Sequence, residues 1–261
     1  MIKLNKVVGF IVFIITLVSC KNESYVDAQT NNQVYGSNAY VGASTCIECH
    51  KEEYDKWMGS HHELAMQVAN DSTVLGNFDD IKVSIDGVQY FFFKKDGHFF
   101  VRIKEIDNSE NEYKITYTFG VIPLQQYMVD FENGKKQVLR ATWDTAKLKW
   151  FHQYKGDAIE PHDWLHWTRG AQNWNTMCAE CHSTNLKKGF DLETNKLRRT
   201  WSEINVSCEA CHGPASQHVD WANKISGWEQ LKQKGLVFRL DESNGVSWQI
   251  DDISHTATRN Q

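Results

Sequence analysis

The 261-residue sequence predicts an α+β fold, with short helices and loops on either side of an inserted antiparallel β-sheet. Three observations predict it. Between Ile81 and Tyr154, short alternating or apolar runs are punctuated by Asp86-Gly87, Asp96-Gly97 and Asn133-Gly134, dipeptides that supply the positive φ angles of tight hairpin turns. From Thr45 to Val68, and again after Pro161, the pattern turns helical and brief, with Trp and His abundant. Six of the seven cysteines fall in three identical spacings within those flanks. With 41% apolar and 23% charged residues the chain is neither disordered nor collagen-like. A net charge of -5 without a clustered basic excess argues against nucleic acid as a partner.

The elements follow in order. Lys3 and Lys6 precede the apolar run Val7 to Val18, which has the layout of a secretory signal and falls short of the ~18 residues that cross a bilayer. Leu17-Val18-Ser19-Cys20 resembles the lipobox of bacterial lipoproteins. That likeness implies removal of residues 1–19, diacylation of Cys20, and a protein exported and lipid-anchored to a bacterial membrane, on its periplasmic side or at the cell surface. Residues 20–39, rich in Asn, Gln and Ser, read as a flexible tether. In residues 40–70, Tyr54, Trp57 and Met58 recur on one helical face. Residues 71–155 form the β insert, of about six strands. In residues 156–261, Pro161 fits the first turn of a helix and Asn173 or Asn175 can cap the next. Thr200-Trp201-Ser202-Glu203 has the spacing of a capping box.

The three cysteine spacings are Cys46-Ile47-Glu48-Cys49-His50, Cys178-Ala179-Glu180-Cys181-His182 and Cys208-Glu209-Ala210-Cys211-His212. Each is C-x-x-C-H. Cysteines three apart on a helical turn face one side and can form thioethers to the two vinyl groups of one haem, while the following histidine presents an imidazole to its iron. Zinc needs four ligands per site, so two pairs would serve one ion, the third would be orphaned, and the trailing histidines would have no purpose. A thioredoxin-like site needs one pair in a βαβ setting. Disulfides between cysteines three apart would be strained and dispensable. Three covalently attached haems c are therefore expected, with His50, His182 and His212 as proximal ligands, and the short helices and loops packed around them.

Eight other histidines can complete the irons or do something else. His61 and His62 lie eleven and twelve residues beyond His50, about 17 Å away along a helix, which carries them toward a neighbouring haem. His218 follows His212 too closely to turn back on the same iron. His162 and His166 would share a helix face. His98, His152 and His255 read as ordinary structural or surface residues. The ten tryptophans read as packing against porphyrin faces and in the core, ahead of any electron relay.

Longer segments then carry a family likeness. Tyr40-Val41-Gly42, Trp57 to Met66, Phe119 to Tyr127, Leu165-His166-Trp167, Asn173 to Met177 and Val206 to Pro214 resemble the multihaem cytochrome c-552/4 domain, related to the tetrahaem carrier that accepts electrons from hydroxylamine oxidoreductase. The resemblance runs from Tyr40 to about Trp221 and implies His62, His166 and His218 as distal or haem-contacting residues. Relatives commonly carry a fourth C-x-x-C-H beyond the region of Thr256 to Gln261, which implies that a longer native chain holds a further haem. The expected function is electron transport between exported or membrane-bound donor and acceptor proteins. The rival is an oxidoreductase acting on a small nitrogen or sulfur compound at an open haem.

Overall fold

The structure, a computed structural model, describes residues 37–157, 159–238, 240, 247–251 and 257–260. The signal segment, Cys20, most of the tether and His255 lie outside the described residues.

The expected turns form where the dipeptides stand. Asp86 and Gly87 take φ of 49° and 83°, and Asp96 and Gly97 take 52° and 72°. They join β2 (Ile81–Ile85) to β3 (Val88–Lys95), and β3 to β4 (His98–Lys104). The sheet continues through β5 (Glu110–Phe119), β6 (Leu124–Asp130), β8 (Ala141–Asp144) and β9 (Lys149–His152). β1 (Met66–Val68) pairs with β5, and β7 (Lys136–Val138) with β6, making nine antiparallel strands among the described residues. Alternation places Val88, Tyr90 and Phe92 of β3, and Val101 and Ile103 of β4, inside. They meet Phe78, Tyr127, Trp143 and Trp150 in one core, where Phe92 stacks on Trp150 with ring centroids 3.7 Å apart.

The expected fold class is overturned. Strand dominates, and the sheet curls into a nearly closed barrel that forms the body of the protein, not an insert between helical layers. The described helices have at most seven residues, too few to bury a stripe or to stand alone. In α1 (Lys51–Trp57) no residue is buried, and exposed Lys51–Asp55 and Lys56–Glu52 pairs at i, i+4 lie on its surface. The remaining helices are α2 (Trp174–Met177), α3 (Ala179–His182), α4 (Cys208–His212) and α5 (Ser216–Ala222). None of the described helices is long and apolar enough to cross a membrane.

Local expectations in the flanks also change. The helical pattern of residues 45–68 ends at Trp57, and its Met66-Gln67-Val68 tail becomes β1 because β5 offers it a pairing edge. No helix opens at Pro161: successive turns run to Thr168, so His162 and His166 share no helix face. Asn173 precedes α2 without capping it; its amide donates to Gln137 Oε1 and its Oδ1 accepts from Thr176. Thr200 ends a strand, not a loop before a helix, because residues 187–200 form the hairpin of β10 (Lys187–Asp191) and β11 (Lys196–Thr200).

Candidate functional site

Each C-x-x-C-H occupies one helical turn, which sets its two cysteines side by side. His50 N–H donates to Cys46 O at 2.8 Å, and His182 N–H donates to Cys178 O at 3.2 Å. The third motif is α4 itself. In all three the first cysteine is half-buried and the second exposed, so each pair opens outward from the protein surface. Among the described residues no three His, Cys, Asp or Glu converge as a metal cluster.

The second motif is fastened to the sheet. Trp174 of α2 is fully buried against Met66, Met128 and Val138, and Ala179 inside the motif packs with them. His182 follows at the surface of this cluster, its ring 4.3 Å from Phe119 at the end of β5. Burial depresses its basicity, and its buried Nδ1 has no hydrogen-bond partner within the protein.

The first and third motifs are fastened to each other. Glu209, 1% exposed, accepts from the backbone N–H groups of Val41, Gly42 and Ala215 at 2.8–3.1 Å. Glu203 accepts from Ala43 N–H at 3.1 Å, and Ser216 exchanges backbone and hydroxyl bonds with Ala39. These bonds bring Cys46 and Cys208 into contact. A hydrogen bond between the two thiols raises Cys46 strongly, with burial adding to it, and the same bond lowers Cys208 to about 7.

Facing the first motif, α5 supplies His218. The rings of His50 and His218 lie with centroids 6.1 Å apart and planes 25° from parallel. Two imidazoles that bind one metal through Nε2 at about 2 Å place their centroids roughly 6 Å apart, a separation that these two match. His218 Nδ1 donates to Lys234 O at 2.9 Å, which leaves its Nε2 lone pair for a metal. Cys46, Cys49 and His50 line one side, and Ala215, His218 and Val219 the other, of an open cavity of about 350 Å³. Thioether donors, two facing imidazoles and an apolar wall fit a haem c.

The other expected ligands have different surroundings. His166 is buried, with Nδ1 2.8 Å from Thr168 Oγ1 and Nε2 3.8 Å from the Glu105 carboxylate, beyond hydrogen-bond distance. The Glu105 carboxylate also accepts from Trp167 Nε1 at 2.8 Å, and these partners outweigh burial to hold its pKa low. His62 is exposed, and its carbonyl accepts from Val206 N–H two residues before Cys208, beside the third motif. His152 is fixed in the core by Tyr90 and Asp86, and His98 is exposed on β4.

Sequence reasoning missed Glu209, Glu203 and the Lys234 carbonyl. Glu209 left a signal: the first two motifs carry Glu in their second x position, Glu48 and Glu180, whereas the third carries it in the first. That first position faces inward, as 1% exposed Ala179 shows. A carboxylate moved there has something to hold.

Three surface-facing C-x-x-C-H turns, one with a second imidazole opposite, define a site for covalently bound haem. The chain is similar to the family described as cytochrome c554 and c-prime, over residues 45–84 and 138–213. All three motifs lie inside the matched segments, and the similarity supports a c-type cytochrome that binds haem c and carries electrons. No curated protein and no solved structure gives a match.

Proposed function

We propose that the protein is an exported, lipid-anchored cytochrome c that passes electrons between redox partner proteins through three haems. The observation that carries this reading is the His50–His218 pair across the first motif, 6.1 Å apart, which closes the site to substrate on both sides. Each haem, when bound, supplies a one-electron ferric/ferrous couple. The chain's own residues attach and orient. Cys46 and Cys49, Cys178 and Cys181, and Cys208 and Cys211 hold the three groups by thioethers, and His50, His182 and His212 present the proximal imidazoles. His218 is the distal ligand of the first. His62, tethered beside the third motif through Val206, is the next candidate for a distal role.

The first motif and the third lie side by side, which gives the carrier its internal route between two haems. Glu209 and Glu203 hold them together. The lipid on Cys20 keeps the protein at a membrane surface, where its donor and acceptor are met by diffusion in two dimensions.

Protein-film voltammetry of the matured chain tests the reading. Reversible waves summing to three electrons per chain, unaltered by hydroxylamine, nitrite or sulfite, are expected. A catalytic current with any of these compounds would replace the carrier by an oxidoreductase with an open haem.

A further inference from the structure

Past α5 the chain makes a turn whose backbone runs against the handedness of L-residues. Gln233 (φ 51°, ψ 34°), Lys234 (φ 60°, ψ 27°) and Gly235 (φ 73°) are three consecutive left-handed residues. That conformation is ordinarily adopted singly and chiefly by glycine, so a run of three with two side chains is unfavourable unless its surroundings hold it. What holds it is α5. Gly235 packs so closely on the helix that a Cβ there would collide with the Gln217 carbonyl and come within 2.7 Å of His218 N.

Lys234 reaches His218 with its carbonyl and the neighbouring Trp221 with its ammonium. Its carbonyl accepts from His218 Nδ1 at 2.9 Å. Its ammonium stands 5.5 Å from the centre of the Trp221 ring, which in turn stacks on His218 with planes 11° apart. The His218 ring is thereby held in rotation by Trp221 and in tautomer by Lys234, which leaves Nε2 without the proton.

We propose that the left-handed turn Gln233-Lys234-Gly235 is a positioning device for the distal ligand, which delivers the Lys234 carbonyl to His218 Nδ1 and so strengthens Nε2 as a donor to the first haem. The proposal rests on the reading that His50 and His218 share one iron. A hydrogen-bonded imidazole is the more basic ligand and stabilises ferric over ferrous iron, so the turn lowers the potential of this haem and resists displacement of His218 by outside ligands. Gly235 is the positioning residue on which the geometry depends, and it lies beyond the segments that match the family.

Three variants of the full matured chain separate the two claims. H218A should convert one haem to a high-spin ferric spectrum; if all haems stay low-spin, the shared-iron reading fails. G235A should keep three haems, bind cyanide at the first about 10-fold or more tightly in apparent affinity, and raise that haem's midpoint. K234A, which keeps the carbonyl and loses the ammonium, should stay within about twofold of the parent in cyanide affinity by the same argument. Parental cyanide affinity and midpoint in G235A, with H218A high-spin, would overturn the positioning role alone, as would a K234A shift equal to that of G235A. Should G235A fail to fold, the parent protein still decides. The His218 Nδ1 proton, identified by its loss in H218A, should exchange with solvent far more slowly than that of free imidazole, and exchange at the free rate would overturn the proposal.

Discussion

Glu209 shows how much one residue can organise when it is buried with charge. Its carboxylate satisfies three backbone N–H groups, two at Val41 and Gly42 far away in sequence and one at Ala215 close by. E209A leaves those donors unpaired in a dry site and should cost about 3 kcal/mol in denaturant unfolding. E209Q, which keeps one acceptor oxygen, should cost roughly half of that. The C-x-x-C-H motifs at this scale are legible in the amino-acid sequence as turns, because cysteines three apart followed by histidine fit one helical turn, which each motif occupies. Distal ligands are not. His218 and His166 look alike as histidines beside Trp-rich segments, yet one faces His50 and the other lies beside Thr168 and Glu105. Sequence distance carries no information about which histidine a fold returns to an iron.

At the scale of elements, the sheet turns and strands are legible and the helical flanks are over-read. The β2–β3 and β3–β4 hairpins sit where Asp-Gly requires them. The helices stay short, and where their aromatic residues are buried it can be against the sheet instead of against a second helix. Trp174 is the example, fully buried between Met66 of β1 and Met128 of β6. W174A should cost about 3–5 kcal/mol in thermal unfolding and release the second motif first, seen as faster exchange of the α2 and α3 amides than of β6. The β10–β11 hairpin is illegible for another reason. It buries little of its own and is held at Leu197, whose N–H donates to Asn133 O beside Gly134. Gly134 has φ 74°, and a Cβ there would meet the Leu197 carbonyl. G134A should therefore loosen the hairpin, read as faster proteolysis between residues 187 and 200, with β2–β9 unaffected.

At the scale of the whole described unit, a curled sheet carries the three C-x-x-C-H turns, and a polar chain joins its third and ninth strands. Tyr90 of β3 bonds His152 of β9 at 2.8 Å, and His152 bonds Asp86 of the first hairpin at 3.0 Å, with Arg140 3.6 Å from the same carboxylate. Burial, aided by Arg140, depresses His152. Burial works to raise Asp86, but the Gly156 N–H, His152 and Arg140 outweigh it and hold the carboxylate low. Both shifts favour the proton-poor forms in the folded state. Stability contributed by His152 is present above its unfolded value near 6.5 and lost as pH falls below it, and that of Asp86 is lost further down, below about 4. Urea unfolding between pH 7 and 5 should show stability declining with acid, and H152F should start lower and decline less. An unchanged slope in H152F would remove this network from the account.

Intact-mass spectrometry of the matured, denatured chain tests the central claim most directly. Three haem additions that survive denaturation, falling to two in the Cys46→Ala, Cys49→Ala double variant, are predicted. Fewer than three on the parent, or haem that leaves on unfolding, would contradict it.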